Sequence, residues 1–154
     1  MTLAALAALG VRCLLVVLFL PFSALDKVLN HKGAVAQARQ MFPRPVAVAL
    51  IALGLCLEVF GSLAVVTGVA DRAAAFLLAG YCVVTALLWK RFWAQGDFWR
   101  DPQGKGRSLF WDFLKNGSLA GGFLLVVVGT DGAGLAPFLH HPLASSRPYP
   151  WSPR

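Results

Sequence analysis

An all-α integral membrane protein, folded as a four-helix up-down bundle, is the architecture this sequence predicts. Of its 154 residues 58% are hydrophobic, only 14% are charged, and the mean hydropathy is +0.67. A soluble domain with a polar surface does not have that composition. Four apolar runs, near residues 3–27, 46–69, 73–90 and 109–129, are each long enough to cross a bilayer. Lys and Arg fall mostly between those runs, so the net charge of +7 sets topology and meets anionic lipid rather than nucleic acid. The length allows one domain, residues 1–131, followed by a Pro-rich tail at 132–154.

The first run carries Arg12 inside it and Asp26-Lys27 at its exit. Nothing before Arg12 is charged, which argues against a cleaved signal peptide. Pro21 is expected to kink this helix. Arg12, Phe19, Ser23 and Asp26 are spaced to share one face, a polar stripe from near mid-depth to the helix end. From Asn30 to Arg44 the chain is too polar to span. Val35, Ala38 and Phe42 keep a rough helical spacing there, and a short helix lying in the interface is expected between spans 1 and 2.

The second run, Val46 to Val69, holds a single charge, Glu58, near its centre. A carboxylate at the bilayer midplane costs about 2.5 kcal/mol or more, so it is expected to face a protein interior and to have a partner. Gly54, Gly61 and Gly68 recur every seven residues and form a seam beside Glu58 where another helix can approach closely. If the first helix starts near Leu3, Arg12 and Glu58 both come near mid-depth, and a buried Arg12–Glu58 ion pair is the expected way to house them. A structural buried acid and a working site are equally good readings of Glu58.

A tight turn from Thr67 to Arg72, with Asp71 and Arg72 its only charges, leads into the third run. Arg72 is placed at that turn, at the interface. Gly80, Tyr81 and Thr85 are mildly polar positions of the third span, which ends in Trp89-Lys90-Arg91-Phe92-Trp93, a sequence suited to a headgroup boundary. Gln95 to Ser108 is a hydrophilic loop. In the fourth run Asp112, Lys115 and Asn116 share a face with Leu119, Asp112 and Lys115 can pair along the helix, and Gly117 and Gly121 make a small-residue seam. The tail holds five prolines and His140-His141 and is expected to be loosely ordered.

Ten basic residues fall in or beside the two long loops and four elsewhere, which favours both termini outside and the long loops in the cytoplasm. Asp26, Lys27, Tyr81, Asp112, Lys115 and Asn116 are the candidates for a polar pocket on the side of those loops, closing on Glu58. For the lysines the plainer alternative is snorkelling to headgroups. Cys13, Cys56 and Cys82 sit one per span with no CxxC and read as buried apolar thiols. No span contains His, which excludes a bis-His haem bundle, and there is neither a Walker motif nor GxGxxG. No metal site is visible, and any electrons handled here must be carried by a bound quinone or a partner subunit.

Several short motifs in fixed order resemble the DoxX family of membrane proteins. They are Arg12, the apolar run Leu14 to Phe22 and Lys27; Phe42-Pro43; Glu58-Val59-Phe60-Gly61; Gly68 with Arg72-Ala73-Ala74; and Phe113-Leu114-Lys115-Asn116 leading to Gly121-Gly122. The resemblance covers residues 9–129. Ser23-Ala24 stands where the family often has a glycine before the lysine. The resemblance implies a four-helix membrane fold with Arg12, Lys27, Glu58, Arg72, Lys115 and Asn116 as its polar positions. It also implies an association with thiosulfate:quinone oxidoreductase and with redox and thiol-stress complexes. Two functional expectations follow: a membrane subunit of a quinone-linked oxidoreductase, or a non-catalytic anchor or accessory subunit. A solute transporter is less favoured, because no broken helix or internal repeat is visible. The expected setting is a bacterial inner membrane with both termini periplasmic, and the expected partners are lipid and either other subunits or further copies of the chain.

Overall fold

The computed structural model describes residues 2–129 and 134–150. Among them the regular structure is entirely helical. Helix α1 spans Leu3–Leu29, α2 His31–Ala38, α3 Arg44–Thr67, α4 Asp71–Trp89, α5 Lys105–Val128 and α6 Ala136–His140.

Local chemistry sets the boundaries. Thr2 caps α1 by accepting from the Ala5 N–H at 3.3 Å. Pro43 is extended and Pro45 lies in the first turn of α3, where a missing N–H is tolerated. Gly68, at φ +79°, ends α3 in the left-handed conformation that suits glycine. The short helix expected between the first two spans is α2. It packs Val35 and Ala38 onto Ala47 of α3, with Phe42 and Ile51 alongside.

Two of the long helices widen at their centres. In α1 the turn Leu18–Ser23 is π-helical and contains Pro21, which lacks the N–H for a regular helical bond. In α3 the turn Leu57–Gly61 is π-helical and contains Glu58. Such turns are rare and often occur at functional sites.

α1, α3 and α4 with the turn that follows it are long and apolar enough to cross a membrane. Their outward faces carry Leu14, Leu53 and Phe60, each about two-thirds exposed or more (72%, 66% and 67%). An apolar surface of that kind needs lipid rather than water around it. α5 is equally long at 24 residues, but Lys105, Arg107, Asp112 and Lys115 occupy its first half. The core lies between α1, α3, α4 and α5, around Phe19, Val65, Leu78, Cys82, Phe123 and Val127. The glycine seam of α3 is used as expected at two of its three positions. A Cβ at Gly54 would stand 3.2 Å from the Tyr81 hydroxyl, and one at Gly61 3.3 Å from Leu78. Of the three thiols expected to be buried, only Cys82 is; Cys13 and Cys56 face outward.

The tail differs from expectation. Its boundary near residue 131 lies outside the described residues, but residues 134–150 return along the bundle instead of leaving it. Phe138 stacks on Phe76 at 5.2 Å, and buried Tyr149 donates to the Val66 carbonyl at 2.6 Å. Proline-rich sequence does not prevent docking where an aromatic ring and a hydroxyl find partners.

Candidate functional site

Glu58 is buried, with 1% of its surface exposed, and its carboxylate is fully engaged. Lys27 Nζ donates to Oε1 at 2.7 Å and to Oε2 at 2.9 Å. Ser23 Oγ and Tyr81 Oη donate to Oε1 at 2.9 and 3.0 Å. Lys27 Nζ also reaches Ser23 Oγ at 2.7 Å, so the three groups form one closed cluster. Ser23 and Glu58 each sit in a wide turn, and Gly54, one turn before Glu58, leaves the room that brings Tyr81 to the carboxylate. The Tyr81 ring rests edge-on against Phe19 at 6.3 Å, which in turn packs on Phe123 at 5.7 Å.

This cluster forms the floor of a cleft of about 710 Å³. All six pocket candidates from the sequence, Asp26, Lys27, Tyr81, Asp112, Lys115 and Asn116, line it, as do Glu58, Trp89 and Lys90. Near its mouth Lys90 Nζ pairs with Asp112 at 2.9 Å, while the expected Asp112–Lys115 pair is a looser 3.5 Å contact. Asn116 Nδ2 donates to the Asp112 carbonyl at 3.1 Å. Asp26 is exposed, and Ser23 and Lys27, one turn apart on α1, are the residues that reach inward. Between floor and mouth the walls mix apolar side chains, Phe19, Leu50, Ile51 and Leu119, with the polar ones of Asn30, Gln37 and Thr85.

The expected Arg12–Glu58 ion pair does not form. Arg12 is buried, but its Nη1 donates to Asp71 Oδ2 at 2.7 Å and to the Val65 carbonyl at 2.5 Å. Register is the reason. Arg12 is level with Val65, seven residues from Glu58 along α3, a separation of about 10 Å along the helix axis. Glu58 is instead level with Ser23, and Lys27 reaches it from one turn further along.

Asp71 is the partner that the sequence reading missed. It is completely buried at the start of α4 and accepts from the Ser146 N–H at 2.8 Å and from Ser146 Oγ at 2.5 Å. Ser146 Oγ also accepts from Arg12 Nη2 at 2.6 Å. The signal available in the sequence was the need of buried Arg12 for an acid, with Asp71 the nearest one beyond α3. Arg72, expected at the interface of the turn, is also buried, with Nη1 3.5 Å from the Val127 carbonyl near the end of α5. The bundle therefore carries two buried ionic clusters. One floors the cleft; the other closes the opposite end.

Among the described residues no group of three His, Cys, Asp or Glu side chains could hold a metal ion. The DoxX family model matches residues 7–91, from the first turns of α1 to just past the end of α4. No curated protein and no solved structure matches the chain. The match spans more than half of the chain, including Arg12, Lys27, Glu58, Asp71 and Tyr81, and the protein belongs to the DoxX family.

Proposed function

We propose that this protein is an integral membrane subunit of a redox complex and that its cleft takes the headgroup of a quinone. The observation that carries this reading is the buried Glu58 carboxylate held by Lys27, Ser23 and Tyr81 at the floor of a cleft that Phe19, Leu50, Ile51 and Leu119 line on the way in. A quinone has a flat ring with oxygen acceptors and an isoprenoid chain, which suits polar groups on the floor beside aromatic and aliphatic side chains such as Phe19, Trp89, Leu50 and Leu119. Reduction of a quinone to the quinol takes two electrons and two protons. Lys27 Nζ and Tyr81 Oη hold protons at the floor, and Glu58 Oε1, bonded to both, can pass one between them. The electrons come from a partner subunit. A small sulfur oxyanion is the other substrate class that Lys90, Lys115 and Asn116 at the mouth would suit.

In the same reading α5 is the fourth span, since its 24 residues give about 36 Å of helix. The membrane is the bacterial inner membrane, with the cleft mouth toward the cytoplasm and both termini periplasmic. The test is titration of the detergent-purified protein with a short-chain quinone, following tryptophan fluorescence. Saturable quenching is expected, at least tenfold weaker in affinity for Glu58→Gln, whose amide no longer holds the donors Lys27 and Tyr81 in place, an effect roughly the size of one charge-assisted hydrogen bond. Quenching that is linear in quinone, or identical in the variant, would remove the reading.

A non-catalytic anchor or accessory subunit is the second reading, and a different observation favours it. Gly117 and Gly121 of α5 are exposed, and a Cβ at either would meet nothing within 4 Å. Among the described residues nothing packs on that seam, and small-residue seams let helices of separate chains approach closely. Identification of subunits that co-purify in mild detergent, with Gly117→Leu as the disrupting variant, tests it.

A further inference from the structure

The segment joining α4 to α5 has a surface that the cleft does not use. Its aromatic rings are stacked into one body: Phe92 lies 5.1 Å from Phe98 and 5.0 Å from Phe110, and Phe98 lies 4.5 Å from Trp99. Both acids of the segment accept a backbone N–H, and the cations around them outnumber them. Asp97 accepts from the Gly106 N–H at 3.1 Å, and Asp101 accepts from the Gln103 N–H at 2.9 Å. Arg91, Arg100, Lys105 and Arg107 are exposed, and none forms an ion pair among the described residues. Beside them Trp99 is 88% exposed and Trp93 52%.

We infer that this segment is an anionic-phospholipid binding platform at the mouth of the cleft. Charge complementarity selects the occupant. Four exposed cations with no ion pair among the described residues attract phosphate headgroups, and exposed indoles beside them favour the headgroup layer of a bilayer over water or hydrocarbon. An acidic protein surface would match the cations but not two exposed tryptophans on a chain that is itself embedded in lipid. Fixing the loop through its ring stack and Asp97 means that little order has to be gained when lipid binds. Lys90 and Trp89, which line the cleft, directly precede this platform, so the lipids it gathers border the cleft entrance.

The test uses the whole protein reconstituted in phosphatidylcholine vesicles that contain either brominated phosphatidylglycerol or brominated phosphatidylcholine at equal mole fraction. Bromine quenches nearby tryptophan. At low salt, the brominated phosphatidylglycerol is expected to quench several-fold more than the neutral lipid. Each cation at an anionic surface contributes about fivefold in affinity. The excess should shrink at high salt and disappear when Arg91, Arg100, Lys105 and Arg107 are all replaced by Gln, while Arg147→Gln in the tail keeps it. Equal quenching by the two lipids at low salt would overturn the inference, as would an excess that survives the fourfold replacement. Should the fourfold variant fail to fold, the salt dependence of the native protein decides: an excess insensitive to salt overturns the inference.

Discussion

Ser23 of α1 and Glu58 of α3 lie 2.9 Å apart, and each occupies a wide helical turn in an otherwise regular helix. The two irregularities face each other, and that is how a serine and a glutamate on neighbouring helices come into direct contact at the cleft floor. Lys27, one turn beyond Ser23, then closes on the same carboxylate.

Breaking the floor pair is expected to be costly. Glu58→Leu or Lys27→Leu alone leaves a buried charge without its partner and should lower stability by about 3–5 kcal/mol. The double replacement should recover much of that loss. Thermal unfolding of the three variants in detergent checks it, and a double variant no more stable than either single one would contradict the pairing.

Arg12 belongs to a different cluster. Replacements at Arg12 and Glu58 should therefore add to within about 0.5 kcal/mol, whereas replacements at Arg12 and Asp71, whose side chains touch, should couple by about 0.5–3 kcal/mol. A double-mutant cycle on each pair measures both. Strong Arg12–Glu58 coupling would restore the pairing that the geometry excludes.

Gly54 is the space that Tyr81 needs. Gly54→Ala puts a methyl 3.2 Å from the phenol oxygen, so Tyr81 must shift by a few tenths of an ångström and its bond to Glu58 should weaken, against a helix-propensity gain of about 1 kcal/mol. Tyr81→Phe should cost about 0.5–1.5 kcal/mol for the lost hydrogen bond to Glu58, or more because the acceptor is charged. Since both changes act on one contact, the double variant should be less destabilised than the sum of the two. Strict additivity by chemical or thermal unfolding would show that the contact is not shared.

The tail should contribute measurable stability. Tyr149→Phe removes the hydrogen bond to the Val66 carbonyl and is expected to cost about 0.5–1.5 kcal/mol. Ser146→Ala should cost more, because it leaves Asp71 Oδ2 and Arg12 Nη2 each short of a partner. Proteolysis of the native protein reads the same contacts, with the tail resisting cleavage until either residue is changed.

The helices were legible because composition and punctuation agree. Pro43 and Pro45 start α3, Gly68 stops it, and the apolar runs fix the lengths. The pocket was legible for a related reason. Lys27, Asp112, Lys115 and Asn116 all lie toward the long-loop ends of their helices, and antiparallel packing brings those ends together. Depth along the bundle was not legible. Arg12 and Glu58 are both near the middle of their apolar runs, yet the register between α1 and α3 separates them by about two turns. Nothing in a run of Leu, Val and Ala marks that register. The wide turn at Glu58 carries no proline, and the anchors Ser146 and Tyr149 lie in a segment with no periodicity to read.

The cleft as a quinone site is tested most directly by photolabelling with a short-chain azidoquinone, followed by mapping of the labelled peptides. The label is expected in segments that line the cleft, Phe19–Lys27 of α1, Leu50–Glu58 of α3 and Tyr81–Lys90 at the end of α4, with excess unlabelled quinone preventing it. Label spread evenly over the lipid-facing surface, or unaffected by the competitor, would contradict a quinone site in this cleft.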